Sequence, residues 1–102
     1  MSEAVKDEVG TKVLFEDDRF KIWDLELAPG EAHGMHRHTR EYYLVFIGDT
    51  ELRSVNEDGS TRFETHMPDG KVVHRVLDGD EDIHDAVNMG DKPSRNIIIE
   101  LK

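Results

Sequence analysis

The segment Pro29-Gly30-Glu31-Ala32-His33-Gly34-Met35-His36-Arg37-His38-Thr39-Arg40-Glu41 runs into the apolar stretch Tyr42-Tyr43-Leu44-Val45-Phe46-Ile47 and stops at Gly48. Pro29-Gly30 and Gly48-Asp49 are turn signals at either end. In extended chain, side chains alternate between faces, so His36 and His38 project from one face, and their imidazoles can take neighbouring positions on one metal ion. A third His on a facing strand completes a facial set, and a carboxylate adds charge compensation. His84 is the natural third member, because in the run 83–89 it shares an uncharged polar face with Ala86 and Asn88. Such a face leaves room for a metal and bound water.

The rest of the chain has the same rhythm. Turn signals recur at Asp58-Gly59, Pro68-Asp69-Gly70, Asp78-Gly79-Asp80 and Gly90 through Pro93, separating short runs rich in Val, Ile, Leu, Phe and Tyr. Strands are expected at 12–16, 20–28, 34–38, 41–47, 50–56, 61–67, 71–77, 83–89 and 95–101. Nine short strands with close turns imply an all-β sandwich or jelly roll. Trp23, Leu25 and Leu27 share one face of the second strand and Asp24 and Glu26 the other, so that strand is half-buried. Asn96-Ile97-Ile98-Ile99-Glu100-Leu101 is apolar on both faces in its middle, which suits a central strand or an edge covered by a second copy. Residues 1–10 read as an N-terminal arm, with Ser2 to Val9 either helical or disordered, ahead of one domain over 11–102.

Composition narrows the function. The chain has 102 residues, with 13 Lys and Arg against 23 Asp and Glu, a formal net charge of −10, and no Cys. A chain of this length forms one domain and buries roughly two-thirds of the surface its unfolded form exposes. The acid excess and the lack of a basic cluster argue against nucleic acid and against an anionic membrane surface. Without Cys there is no disulfide, thiolate nucleophile or Cys-ligated metal, so a metal here takes His and carboxylate ligands. The charged N-terminus lacks a signal-peptide core, no run approaches a membrane span, and a cytoplasmic location is the expectation. No Gly-x-Gly loop or Gly-x-Ser-x-Gly elbow occurs. Asp78 to Asp82 begins like a calcium loop, but Ile83 stands where Gly is required and Met89 where Glu is required.

The sequence resembles the cupin superfamily, specifically its small single-domain members. The first family motif is matched by Gly30, five residues, His36-Arg37-His38, two residues, Glu41, six residues and Gly48. The second is matched by His84-Asp85-Ala86-Val87-Asn88, although Gly79-Asp80-Glu81-Asp82-Ile83 replaces the Pro-x-Gly-x-x that precedes it in the family. The resemblance spans about residues 13 to 101. It implies a double-stranded β-helix, the jelly-roll cupin barrel, with a divalent metal (Fe, Mn, Ni or Zn) bound by His36, His38, Glu41 and His84. It also implies a homodimer. Glu41 departs from the motif: it lies three positions after His38 where the family has four, so an unbroken strand turns it away. Either a bulge or shortened connection restores its direction, or it is not a ligand.

Other residues have plainer alternatives. His33 has the opposite parity and belongs to a pocket rim or the surface. His74, on a face with Val72 and Val76, is a candidate to enter the cavity, or else a satisfied core or interface His. His66 shares its face with Arg62 and Glu64 and reads as solvent-facing. Of Tyr42 and Tyr43 one faces inward, Tyr43 in the family register. His74 and Tyr43 are therefore the candidate general bases. The implied function is a metal-dependent oxygenase, isomerase, decarboxylase or lyase acting on a small oxygenated or carboxylate metabolite through an open metal site. The alternatives are a non-catalytic module that binds a metabolite or metal, and a metal that serves only as a structural staple.

Overall fold

The computed structural model describes residues 4–102. It contains nine strands: β1 (Lys12–Glu16), β2 (Phe20–Leu27), β3 (His36–His38), β4 (Tyr42–Ile47), β5 (Thr50–Asn56), β6 (Thr61–Met67), β7 (Val72–Arg75), β8 (Asp82–Asn88) and β9 (Ser94–Leu101). No helix occurs among the described residues. The strands form a five-stranded sheet in the order β1-β2-β9-β4-β7 and a four-stranded sheet in the order β3-β8-β5-β6. All the strand pairings are antiparallel. The all-β jelly roll read from the strand rhythm, and the double-stranded β-helix implied by the resemblance, are what the chain forms.

Alternation decides what each sheet buries. Trp23, Leu25 and Leu27 of β2 join Val9, Tyr42 and Ile98 in the core, with Leu44 packed against them. β9 is central, hydrogen-bonded to β2 on one side and β4 on the other. Its inward face carries Ile98, which is 1% exposed, and Ile97 and Ile99 lie half-buried on the outer face. Glu100 also points inward, where its Oε1 accepts a hydrogen bond of 2.6 Å from Trp23 Nε1. That partner is what makes a carboxylate tolerable at a buried position.

The N-terminal segment is not helical over the described residues and docks beside β3 through Lys6; Ser2 and Glu3, part of the segment read as helical or disordered, lie outside the described residues. Lys6 N–H donates to Met35 O at 3.0 Å, and Arg37 N–H donates to Lys6 O at 2.9 Å. Val9 is buried, and Gly10 crosses so close to β2 that a Cβ there would lie 2.6 Å from Trp23 Cβ. Only glycine permits that approach.

Some apolar side chains remain uncovered. Phe15, Ile22, Tyr43, Val45, Ile47, Val72, Ile97 and Ile99 all lie on the outer face of the five-stranded sheet, with Phe15 51% and Val72 52% exposed. No helix of the described residues is long and apolar enough to cross a membrane.

Burial sets the expected energetics. Replacing Ile98 with Ala removes a fully buried side chain from between two strands and is expected to cost about 2–5 kcal/mol. Leu14→Ala, at a position 43% exposed, is expected to stay within about 0.5 kcal/mol. Urea denaturation of the two variants checks the contrast.

Candidate metal centre

Three imidazoles meet between the two sheets. β3 pairs with β8 so that His36 lies directly opposite His84 and His38 opposite Asp82. Ring centroids are 4.9 Å apart for His36–His38, 4.7 Å for His36–His84 and 4.8 Å for His38–His84. Each of the three offers one nitrogen, and these nitrogens lie within 4.8 Å of one another. The third His, expected on a facing strand, comes from the strand next to β3 in the same sheet.

The other ring nitrogens fix the tautomers. His36 Nδ1–H donates to Gly34 O at 2.8 Å, and His84 Nδ1–H donates to Asp82 Oδ2 at 2.9 Å. Their Nε2 lone pairs are thereby left for another partner. His38 Nδ1 is buried with no hydrogen-bond partner. Burial pushes the His36 imidazole down to about 3 and the His38 imidazole down to about 2, and lowers His84 as well. All three are neutral at neutral pH, the form with a lone pair to donate. Three convergent neutral imidazoles, one with an unsatisfied buried nitrogen, fit a divalent metal.

A cavity of about 100 Å³ adjoins the cluster. Roughly 10–15 Å³ is needed to hold one water, so this space takes several waters or one small organic molecule. Leu44, Phe46, Leu52, Phe63, Met67 and Val73 supply apolar walls from both sheets, and Ser54, Arg62, Arg75, Asp82 and Asn96 supply polar groups. Asn96 Oδ1 is buried without a partner.

The remaining sequence candidates fall elsewhere. Tyr43, expected inward, faces outward, because the residue that keeps the parity of His38 is Tyr42, four positions on. Tyr42 is 2% exposed, and its ring stacks on His38 with centroids 4.2 Å apart. His74 stands opposite Tyr43 on the outer face and stacks on it at 4.2 Å. Its Nε2–H donates to Glu41 Oε2 at 2.6 Å. Glu41, His74 and Tyr43 are thus grouped outside the barrel, and the structure brings none of them to the three imidazoles. β3 ends at His38, and the short connection 39–41 crosses to β4 in the other sheet with Glu41 left on the outside, paired with His74. His33 is not at the surface: it is buried, edge-on to His36 at 4.9 Å, with its Nε2 bonded to Glu8 O at 2.8 Å. The docked N-terminal segment covers it. His66 is half-exposed, as its parity indicates, and pairs with Glu51.

Comparison with solved structures places the architecture. A cupin domain from Bordetella pertussis superposes with a TM-score of 0.77 at 23% identity, covering 97% of each chain. The chain has the cupin fold. A sugar phosphate isomerase of the cupin superfamily from Silicibacter pomeroyi matches with a TM-score of 0.58 at 20% identity, over 83% of this chain and 52% of that one. A polyketide cyclase from Streptomyces resistomycificus matches with a TM-score of 0.64 at 14% identity, over 97% and 73%. No family model and no curated protein matches the sequence.

The cavity includes polar residues that sequence parity did not deliver. Arg62 shares parity with Glu64 and His66 on paper, yet it lines the cavity. The register of β5 on β6 shifts there, Ser54 opposing Phe63 and Val55 opposing Thr61, so Arg62 is the extra residue of a bulge that turns it inward. It pairs with Asp82 at 3.0 Å, and its Nε donates to Asn56 Oδ1 at 2.7 Å. Asp82 was legible only as part of an acidic turn near His84; its spacing of two residues from His84 was the available signal.

Asp82 holds the His84 ring in place. Asp82→Ala is expected to weaken divalent-metal affinity about 10–100-fold, and Glu41→Gln to leave it unchanged. Calorimetric titration with Zn(II) checks both.

Proposed function

We propose that this cupin-fold protein is a metal-dependent enzyme acting on a small anionic, oxygenated metabolite, with His36, His38 and His84 holding the metal. The supporting observation is the convergence of three neutral imidazoles on the wall of a largely apolar cavity that carries arginines. Three protein ligands leave coordination positions open for substrate and water. A metal there supplies Lewis acidity toward a carboxylate, enolate or dioxygen, the chemistry of an oxygenase, decarboxylase, isomerase or lyase. Imidazole-only sites accept Fe(II), Mn(II), Ni(II) and Zn(II) alike. The apolar walls exclude bulk water and strengthen charge interactions inside. A neighbour named as an isomerase and another named as a cyclase use the same fold, which is compatible with catalysis.

A second reading is a non-catalytic binding module. The supporting observation is that Asp82, the carboxylate lining the cavity, is already committed to Arg62 and His84, so it is not free as a general base. Loading the protein with each of the four metals and screening short organic acids separates the readings. Catalysis predicts product formation with at least one metal and none with His36→Ala. Binding without turnover supports the module, and unchanged stability on adding any of the metals counts against every reading that uses a metal.

The expected homodimer is proposed on the outer face of the five-stranded sheet, where Val45, Val72 and Ile97 lie beside Phe15 and Ile99. Contiguous exposed apolar surface of this kind marks an interaction site, and a second copy of the same face matches it in polarity. Val45→Lys is expected to turn a dimer into a monomer in sedimentation velocity, with metal binding retained. Wild-type protein that sediments as a monomer overturns this assignment.

A further inference from the structure

One buried group in the cavity has no role so far. Tyr42 lies against His38, lines the cavity, and its hydroxyl has no hydrogen-bond partner among the described residues. Its neighbours across the sheet are Glu100 on β9, which accepts a hydrogen bond from Trp23, and Arg75 on β7, directly opposite Tyr42 and exposed at the cavity's edge. Directly opposed residues carry their side chains on the same face, with Cβ atoms about 4.5–5.5 Å apart, and Arg75 also lines the cavity. Imidazole, phenol and guanidinium therefore run in sequence along the wall. The cavity's two arginines are not equivalent. Arg62 is held by Asp82 and Asn56, and Arg75 has no carboxylate partner among the described residues.

We propose that Tyr42 and Arg75 form a carboxylate-recognition seat beside the three imidazoles, and that the ligand is a short-chain carboxylate with a second oxygen on the adjacent carbon. The proposal rests on the metal-site reading for the second oxygen and on Arg75 and Tyr42 for the carboxylate. A guanidinium pairs with a carboxylate through two parallel N–H donors, and a phenol adds a third. Three neutral imidazoles leave the charge of a divalent ion uncompensated, which favours an anion over a neutral ligand. The apolar remainder of a cavity near 100 Å³ suits a short aliphatic or oxo acid. It is poorly suited to a nucleotide or an oligosaccharide.

The test compares pyruvate with its neutral analogue pyruvamide, by isothermal titration of the protein with and without Zn(II). Hydrogen bonds to a charged group are worth about 10–100-fold in affinity. Wild-type protein is expected to bind pyruvate at least about tenfold more tightly than pyruvamide. Arg75→Gln is expected to lose about tenfold or more for pyruvate, with Zn(II) and pyruvamide binding unchanged. Tyr42→Phe keeps the stacked ring and is expected to lose a smaller factor. Equal binding of the two probes, or Arg75→Gln and Tyr42→Phe variants that bind pyruvate as the wild type does, overturns the proposal. If Zn(II) does not bind, the metal reading fails alone: Arg75-dependent pyruvate binding by the metal-free protein still upholds the seat. Absence of pyruvate binding both with and without Zn(II) overturns it.

Discussion

The register of β3 on β8 is the constraint on which the site depends. It sets His36 against His84 and His38 against Asp82. Because side chains alternate with period two, a slip of one residue would turn both β3 imidazoles out of the barrel. A strand of three residues cannot hold its register by its own ladder. The loop before it does so: Gly34 N–H donates to Asp85 Oδ1 at 2.8 Å, His33 N–H donates to Ala86 O at 3.0 Å, and Lys6 hydrogen-bonds on the other side. Gly34, at φ +107, supplies the backbone conformation that lets the chain enter β3 with His36 already aimed inward.

That register has an energetic cost. Imidazoles buried without solvent lose hydration, and the strong lowering of His36 and His38 measures how unfavourable their charged forms have become. Even the neutral rings must find partners for two nitrogens each. Gly34 and Asp82 satisfy one nitrogen on each of two rings, and His38 Nδ1 and Asn96 Oδ1 stay unsatisfied. An unpaired buried polar atom costs about 1–3 kcal/mol. The cavity therefore concentrates unmet hydrogen-bonding and coordination capacity in one place, against an apolar core of Trp23, Leu25, Leu27 and Ile98, of which Leu25 and Ile98 line the cavity itself. Ligand binding would recover that capacity.

The strand pattern and the histidine trio were legible because both follow from local alternation. Turn residues bounded the strands, and the spacing of His36 and His38 fixed their common face whatever the topology. Features that depend on tertiary register were not legible. Counting parity from His38 selects Tyr42 as the inward tyrosine, whereas counting from a motif written with one more residue selects Tyr43. The same single-residue deficit leaves Glu41 and His74 paired on the outside. Arg62 was hidden for the opposite reason: its sequence parity is outward, and a bulge that no local signal marks reverses it. His33 lies deeper than a surface position because its cover is the N-terminal segment, whose path beside β3 is a long-range contact.

The charge balance ties these levels together. A net charge of −10 favours the approach of a divalent cation and disfavours an organic anion, yet at physiological ionic strength this field fades over about 8 Å. At the cavity the balance is local: the imidazoles are neutral, Asp82 is compensated by Arg62, Glu100 beside Tyr42 accepts from Trp23, and Arg75, exposed at the cavity's edge, has no carboxylate partner among the described residues. The sequence of Arg75, Tyr42 and His38 along one face lets an acidic protein concentrate metal cations from solution and still offer an anion a favourable seat. A lysine at position 75 would keep the charge but not the planar pair of donors, so the geometry of Arg75 carries selectivity for carboxylates that charge alone would not provide.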